Sequence, residues 1–469
     1  MRAALRLLAV VFVVVACTPV TASAADRMWM GFTDDPVLRY DPGRQTDFDL
    51  VRQSDATIVR TIVVWSSVAA TKPANATDPF DPAYRFDDLD EYVRNAQSRG
   101  LEVLMTIWGT PAWANGGKAP QYAPIDAGDL QAFAQALASR YSGRYPGYPF
   151  VRFFGIWNES NLATFLRPQY TSTGKPASPA IYARLAAAGY AGLKAGNPLA
   201  QVAIGETSSN GRQRHVPGLT DTLAPGLFAQ LVAQADPNLR FDAWAQHPYP
   251  FPVNQAPTQV AHWPNVPLLG LGKLESALDA GFKRKGIPIW ITEYGNETKP
   301  GEPKGVTEAQ QARYLPQAIA IARRDPRVRM FIWFVFRDSA GSTWQSGLYR
   351  TDSTPKPAQA AWPVAARPLD MRNGKVTARG GTVGPIVTVY VRDFCANNPV
   401  GAAVGTTTRV FRAGTLVGVT QAQLPLGIDC TVHVQLPVTV ARGTTYLATV
   451  DLNVGGGNTA TRAITVVGR

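Results

Sequence analysis

Cysteine and histidine are scarce in this chain: 469 residues hold three cysteines and four histidines. The histidines (His215, His247, His262, His433) are scattered, with no His-x-x-x-His pair and no Cys-x-x-Cys. No metal centre of readable spacing is therefore expected. Glycine-rich phosphate turns are missing too. The first strand-like run continues as Met30-Gly31-Phe32-Thr33-Asp34-Asp35, and Gly455-Gly456-Gly457 lies between strand-like runs and opens no helix, so no nucleotide cofactor is expected. There is no Gly-x-Ser-x-Gly elbow to suggest a serine hydrolase. No apolar stretch is long enough for a membrane-spanning helix. The net charge is +12, yet no basic run is interleaved with aromatics, so nucleic acid is not an expected partner. Abundant arginine and alanine account for the charge as a matter of composition.

What the chain does have begins at its N-terminus. Arg2 and Arg6 precede a short apolar run from Leu7 to Ala16, and Ala22-Ser23-Ala24 is an A-x-A cleavage site. This is the pattern of a secretion signal over residues 1–24, and the expected location is extracellular. Val14-Val15-Ala16-Cys17 resembles a bacterial lipobox, so a lipid anchor at Cys17 is the alternative. Cys395 and Cys430 remain after cleavage. Both lie in the last quarter of an exported chain, where a single disulfide is expected.

Strand-like runs alternate with amphipathic helical stretches through the first three quarters of the chain. The runs are Met28 to Phe32, Ile58 to Val64, Val103 to Trp108, Phe153 to Trp157, Val202 to Gly205, Phe241 to Ala245, Pro288 to Thr292 and Val328 to Phe334. Helical segments include Leu89 to Arg99, Leu130 to Tyr141, Ile181 to Ala195 and Ala309 to Arg324. Eight strands with intervening helices predict a (β/α)8 TIM barrel over residues 25–365. Beyond it the helical period disappears. Short alternating runs separated by Gly, Asn and Pro predict a small all-β, Ig-like sandwich over 366–469. A monomer is expected.

Two glutamates close buried strands. Val151-Arg152-Phe153-Phe154-Gly155-Ile156-Trp157-Asn158 ends in Glu159, and Pro288-Ile289-Trp290-Ile291-Thr292 ends in Glu293. The C-terminal end of a barrel strand is the active-site face. A pair of carboxylates there is the minimum equipment for breaking a glycosidic bond. Asn158-Glu159-Ser160 and Asn296-Glu297-Thr298 also match the N-glycosylation pattern, but the first overlaps this pair and both are set aside.

Asn-Glu after strand four and Glu after strand seven resemble the clan A glycoside hydrolases. Gly109-Thr110-Pro111-Ala112-Trp113-Ala114 and Trp157-Asn158-Glu159-Ser160-Asn161 resemble family 39, with family 5 as its neighbour. The resemblance implies a retaining O-glycosidase acting on an oligo- or polysaccharide, with no cofactor. Glu159 would be the acid/base and Glu293 the nucleophile, about 5 Å apart. Asn158 would hold the sugar 2-hydroxyl, Tyr249 would hydrogen-bond the nucleophile, His247 would line the sugar site, and Arg60 would keep Glu293 charged. Trp65, Trp108, Trp113, Trp333 and Trp344 are candidates for sugar contact, with Trp333 or Trp344 as the platform at the cleavage point. Glu206 and Asp338, which close strands five and eight, are weaker candidates for binding hydroxyls. The same residues would also serve a transglycosylase, and a non-catalytic carbohydrate-binding barrel is the rival from another class. Tyr390, Phe394, Phe411 and Tyr446 are too few for a clear glycan-binding row, so the C-terminal region is expected to pack on the barrel.

Overall fold

The computed structural model describes residues 28–54, 56–260, 262–342, 344–362, 375–391, 402–426, 431–453 and 459–469. The signal stretch, Cys17, Phe394, Cys395 and Cys430 lie outside them, and so does the expected disulfide.

Eight parallel strands close into a barrel in the order β1-β2-β3-β4-β5-β6-β7-β8. They are β1 (Trp29–Thr33), β2 (Ile58–Val64), β3 (Glu102–Trp108), β4 (Phe153–Ile156), β5 (Gln201–Ser208), β6 (Ala243–His247), β7 (Ile289–Tyr294) and β8 (Val328–Phe334). The principal outer helices are Arg44–Gln53, Asp87–Ser98, Ala127–Arg140, Ser178–Gly196, Pro225–Ala235, Leu271–Gly281 and Glu308–Arg324, with the short Pro357–Ala361 after β8. Each expected strand exists. The largest extension is β5, which runs three residues beyond Gly205.

The barrel interior changes character along its axis. Trp29, Ile58, Leu104, Phe153, Ala203, Ala243, Trp290 and Met330 form one buried apolar cluster at the N-terminal end. Two residues further along β2, β3, β4 and β7 stand Arg60, Thr106, Gly155 and Thr292, a small and polar set. Side chains two apart on a strand share a face, so the apolar floor is followed directly by a polar layer beneath the active-site end.

The remaining strands are β9 (Lys375–Ala378), β10 (Ile386–Tyr390), β11 (Ala403–Arg412), β12 (Thr415–Pro425), β13 (Thr431–Gln435), β14 (Thr445–Asn453) and β15 (Thr459–Gly468). They form a five-stranded sheet, β12-β11-β14-β15-β9, and a two-stranded sheet, β10-β13. Alternating residues such as Val404, Val410, Tyr446, Ala448, Val450, Ile464 and Val466 fill a core shared with Val387, Val389, Val432 and Val434.

This all-β region is packed against the barrel floor. Val383 belongs to the floor's own apolar cluster. Arg152, just before β4, is 3 % exposed. It pairs with Glu102 at 2.9 Å and donates to the Pro437 carbonyl at 2.5 Å. Removing one partner of a buried ion pair leaves the other uncompensated, at a cost of about 3–5 kcal/mol. Arg152→Leu is therefore expected to lower unfolding free energy by roughly that amount, measured by urea denaturation. A change below about 1 kcal/mol would show that this junction contributes little.

Candidate active site

Arg60 organises the polar layer. It lies on β2 with no exposed surface, and its guanidinium serves four acceptors. Nη1 donates to Glu293 Oε1 at 2.7 Å, and Nη2 to both Asn158 Oδ1 and Glu206 Oε2 at 3.0 Å. Nε donates to Thr106 Oγ1 at 3.1 Å. Because Arg60 can only donate, the Asn158 carbonyl must face it. The Asn158 amide nitrogen is left free to donate to a sugar oxygen.

Glu293 has a second donor. The Tyr249 hydroxyl reaches its Oε2 at 3.0 Å. Burial and the neighbouring carboxylates push the Tyr249 phenol well above its ordinary range, so it stays a donor. The β7–β8 register slips between Ile291 and Tyr294. That irregularity lets consecutive residues, Thr292 and Glu293, both reach the interior network, which strict alternation would forbid.

Glu159 follows β4 with a backbone φ of 38°, and Trp157 two residues earlier has 69°. Such left-handed values are uncommon for side-chain-bearing residues and cluster at functional sites. Glu159 Oε1 lies 3.1 Å from His247 Nδ1. Its side chain keeps 14 % of its surface accessible, and that of Glu293 11 %. A carboxylate oxygen of each lies within 4.8 Å of the other's. Burial raises the Glu159 carboxyl above the usual range, against the lowering effect of His247.

His247 is fully buried. Its Nε2 lies 3.0 Å from Glu206 Oε2 and 3.1 Å from Thr292 Oγ1, and its Nδ1 is 3.6 Å from Glu293 Oε2. Burial opposes its charge, but Glu293, Glu159 and Glu206 together push the imidazole up to about 9. That direction favours the imidazolium. His247 therefore holds both catalytic-end carboxylates in place from beneath rather than forming the open sugar-facing wall that was expected.

Glu206 was expected to bind sugar hydroxyls. The structure places it instead under the site, with a side chain that has no exposed surface. It receives Arg60, His247 and the hydroxyls of Thr106 (3.2 Å) and Thr292 (2.9 Å). Burial works against its ionisation, but Arg60 and His247 outweigh it and hold the carboxyl below the usual range. Asp338 is also diverted: it pairs with the buried Lys356 at 2.6 Å and accepts from the Gly347 amide at 2.8 Å.

The tryptophans divide. Trp344 sets its ring edge-on to Tyr249, 5.1 Å between centroids, beside the Glu293 partner. Trp108 is half-buried at the end of β3 and packs on Phe165. Trp65 is fully buried and stacks on Phe133 of an outer helix, and Trp113 packs edge-on against Trp65. Trp333 is fully buried, donating to the Ser346 carbonyl at 2.8 Å. Trp65 and Trp333 are thus packing residues, while Trp113 is half-buried and donates to the Ala69 carbonyl at 2.7 Å. Of the two rings named for the platform, Trp344 stands beside Tyr249, the partner of Glu293. Thr106 and Thr292 were not anticipated. The signal for them was a hydroxyl at an inward-facing position of an otherwise apolar strand.

Among the described residues, Glu159, His247 and Glu293 are the set that offers three donor atoms close enough for one metal ion. Arg60 already supplies a cation to Glu293.

A closed parallel barrel with two carboxylates facing each other at its C-terminal end is the scaffold of a glycoside hydrolase, an enzyme that cleaves carbohydrates. The chain belongs to the cellulase family, glycosyl hydrolase family 5, whose family model matches residues 25–335. It is similar in structure to a family 39 glycoside hydrolase from the gut symbiont Bacteroides cellulosilyticus WH2, at 19 % identity and a TM-score of 0.53, covering 92 % of this chain and 82 % of that one. It is also similar to a GH5_18 enzyme from Streptomyces cattleya in complex with Manb1-4GlcNAc, at 16 % identity and a TM-score of 0.50, covering 76 % and 86 %. No curated protein matches the sequence.

Gly155 makes room for Glu206: a Cβ there would lie 2.3 Å from Glu206 Oε1 and 2.8 Å from Thr106 Oγ1. Gly155→Ala is expected to displace the buried carboxylate and lower kcat at least tenfold, while costing about 1–3 kcal/mol in stability. Unchanged kcat would mean the polar layer tolerates rearrangement. Dialysis against a chelator is expected to leave kcat within about twofold, as two-carboxylate chemistry requires no ion. Loss of activity restored by one divalent metal would contradict the assignment.

Proposed function

We propose that this chain is an exported glycoside hydrolase that works with retention of anomeric configuration. The observation that carries this reading is the approach of Glu159 and Glu293 carboxylate oxygens to within 4.8 Å. Retaining enzymes hold their carboxyls about 5–5.5 Å apart, whereas inverting ones leave about 6.5–9.5 Å for a water. The export reading rests on the signal-like N-terminus.

In this mechanism Glu293 attacks the anomeric carbon. The glycosidic C–O bond breaks with its electron pair on the leaving oxygen, which takes a proton from Glu159. Glu159 then removes a proton from water, whose oxygen displaces Glu293 from the sugar. The surroundings suit these roles. Glu293 has the two donors an anion needs, Arg60 and Tyr249. Glu159 is favoured in its neutral form by burial. Asn158 is oriented to donate to a hydroxyl next to the reacting carbon, where a hydrogen bond strengthens as charge develops.

Product stereochemistry read by proton NMR, on substrates found with a panel of aryl glycosides and polysaccharides, tests the reading directly. The first-formed sugar is expected to keep the substrate's anomeric configuration. Glu293→Ala is expected to lose at least about 10³-fold in kcat, and azide is expected to restore turnover as an inverted glycosyl azide. Inversion in the wild-type enzyme, or near-normal activity of Glu293→Ala, would overturn it. The pH profile of kcat/KM follows from the same roles. The first step needs Glu159 protonated, so activity falls as pH rises through its pKa. Since burial raises that pKa, the alkaline limb is expected above the ordinary glutamate value of about 4.3.

A further inference from the structure

One buried charge has no part in the two-glutamate chemistry, and its placement is costly. Glu206 sits at a bulge in β5. Gly205 pairs with Ala245 of β6 and Thr207 with Gln246, which leaves Glu206 as the extra residue between them. Its φ is 47°, and that of Gly205 is 99°. Without the bulge, the inward face of β5 would pass from Ala203 to Gly205, and Glu206 would point outward into the helical layer. The bulge turns it inward, where Gly155 leaves the space that its carboxylate fills.

We infer that Glu206 is a positioning residue that decides which oxygen of Glu159 carries the catalytic proton. The inference rests on the retaining-glycosidase reading and deepens it. Glu206 Oε2 is the carboxylate partner of His247 Nε2, at 3.0 Å, and Arg60 and Thr292 fix that oxygen in turn. An ionised carboxylate can only accept, so His247 Nε2 must carry a hydrogen. The other nitrogen, Nδ1, faces Glu159 Oε1 at 3.1 Å and Glu293 Oε2 at 3.6 Å. With carboxylates on both sides, the ring holds a proton on each nitrogen, and Nδ1–H donates to Glu159. Oε1 is then occupied as an acceptor. The proton on Glu159 must sit on Oε2, which makes no hydrogen bond among the described residues and is free to meet the leaving oxygen.

Without the negative charge at position 206, the ring loses one of the carboxylates that keep it doubly protonated. A neutral imidazole that still donates through Nε2 has a lone pair at Nδ1. That lone pair accepts the Glu159 proton on Oε1 and holds it away from the substrate. The groups facing His247 that take part in this balance are Glu159, Glu206, Glu293, Thr292 and, through the carboxylates, Arg60.

The test compares kinetics with the protonation state itself. Glu206→Gln keeps the size and one acceptor oxygen, but removes the charge and puts a donor NH2 in place of the other oxygen. With phenyl glycosides, whose leaving group needs a proton, its kcat/KM is expected to fall at least about 30-fold, within the range that general-acid assistance supplies. With the dinitrophenyl glycoside of the same sugar, which leaves unassisted, the loss is expected to stay within about threefold. Equal losses on both substrates, or no loss on either, would overturn the inference. Nitrogen NMR of histidine-labelled wild-type enzyme at pH 7 decides the matter independently of turnover and of whether the variant folds. Both His247 nitrogens are expected to be protonated, and a neutral ring would overturn the inference. Failure of the wild-type enzyme to retain configuration would instead sink the functional reading, so the two outcomes stay distinct.

Discussion

The buried guanidinium of Arg60 is the interaction on which the rest of the site depends. A lone cation in a barrel core would cost several kcal/mol even after relaxation. Here it is met by two carboxylates, an amide carbonyl and a hydroxyl, at 2.7–3.1 Å. The charge balance is close. Arg60 and His247 offset Glu206 and Glu293 when Glu159 is neutral. A set of five ionisable groups can therefore occupy a space between an apolar floor and the substrate without leaving one charge uncompensated. Such a network is stringent, because each member satisfies another and the loss of any one leaves a buried partner unpaired.

Positioning relies on backbone irregularity as much as on regular barrel geometry. Alternation along a strand sends every second side chain outward. Regular alternation alone would not bring Thr292 and Glu293 into one network, nor Glu206 under it. Register shifts in β5–β6 and β7–β8 break the alternation where those residues stand. Left-handed φ values at Trp157, Glu159 and Glu206 add local cost. The surrounding barrel, with its closed hydrogen-bonded sheet and packed helices, is rigid enough to hold these conformations.

The barrel was legible because its signal is repetitive. Ile58–Val64 and Val328–Phe334 are apolar β-branched and aromatic runs, and both strands end where their pattern ends. Glu159 and Glu293 were legible as candidates because a carboxylate closing an apolar strand conflicts with local burial unless a site needs it. Tyr249 and Arg60 were legible through the family resemblance, and both contact Glu293. The tryptophans were not. Whether a ring at a strand end faces the mouth or the helical layer depends on loop paths, and Trp65 and Trp333 turn out to be fully buried. Glu206 was seen but misplaced. A strand ending in Gly-Glu reads as a termination, whereas the chain continues through a bulge to Ser208. No periodicity rule predicts an inserted residue that reverses the inward face.

The two glutamates differ in environment more than in position. Glu293 is met by a fixed cation and a phenol, both donors. Glu159 has a single donor, from an imidazole whose own charge is shared with Glu206 and Glu293, and burial outweighs it. Identical side chains thus meet different surroundings, one faced by two donors and the other favoured in its neutral form by burial, which is how a fold can prepare two carboxyls for different tasks. In the proposed reading substrate binding sharpens the contrast. A sugar covering the two carboxylates would displace water from the 14 % and 11 % of side-chain surface that Glu159 and Glu293 retain. In that drier space, the attraction of Arg60 for Glu293 and the penalty on a charged Glu159 both grow. In the proposed mechanism the contrast relaxes when the proton has left Glu159 and the negative charge of Glu293 has been consumed in the bond to the sugar. Those electrostatics oppose the first step of the proposed mechanism, which leaves Glu159 ionised; the loss of the Glu293 charge, whose repulsion helps keep Glu159 neutral, offsets part of that cost.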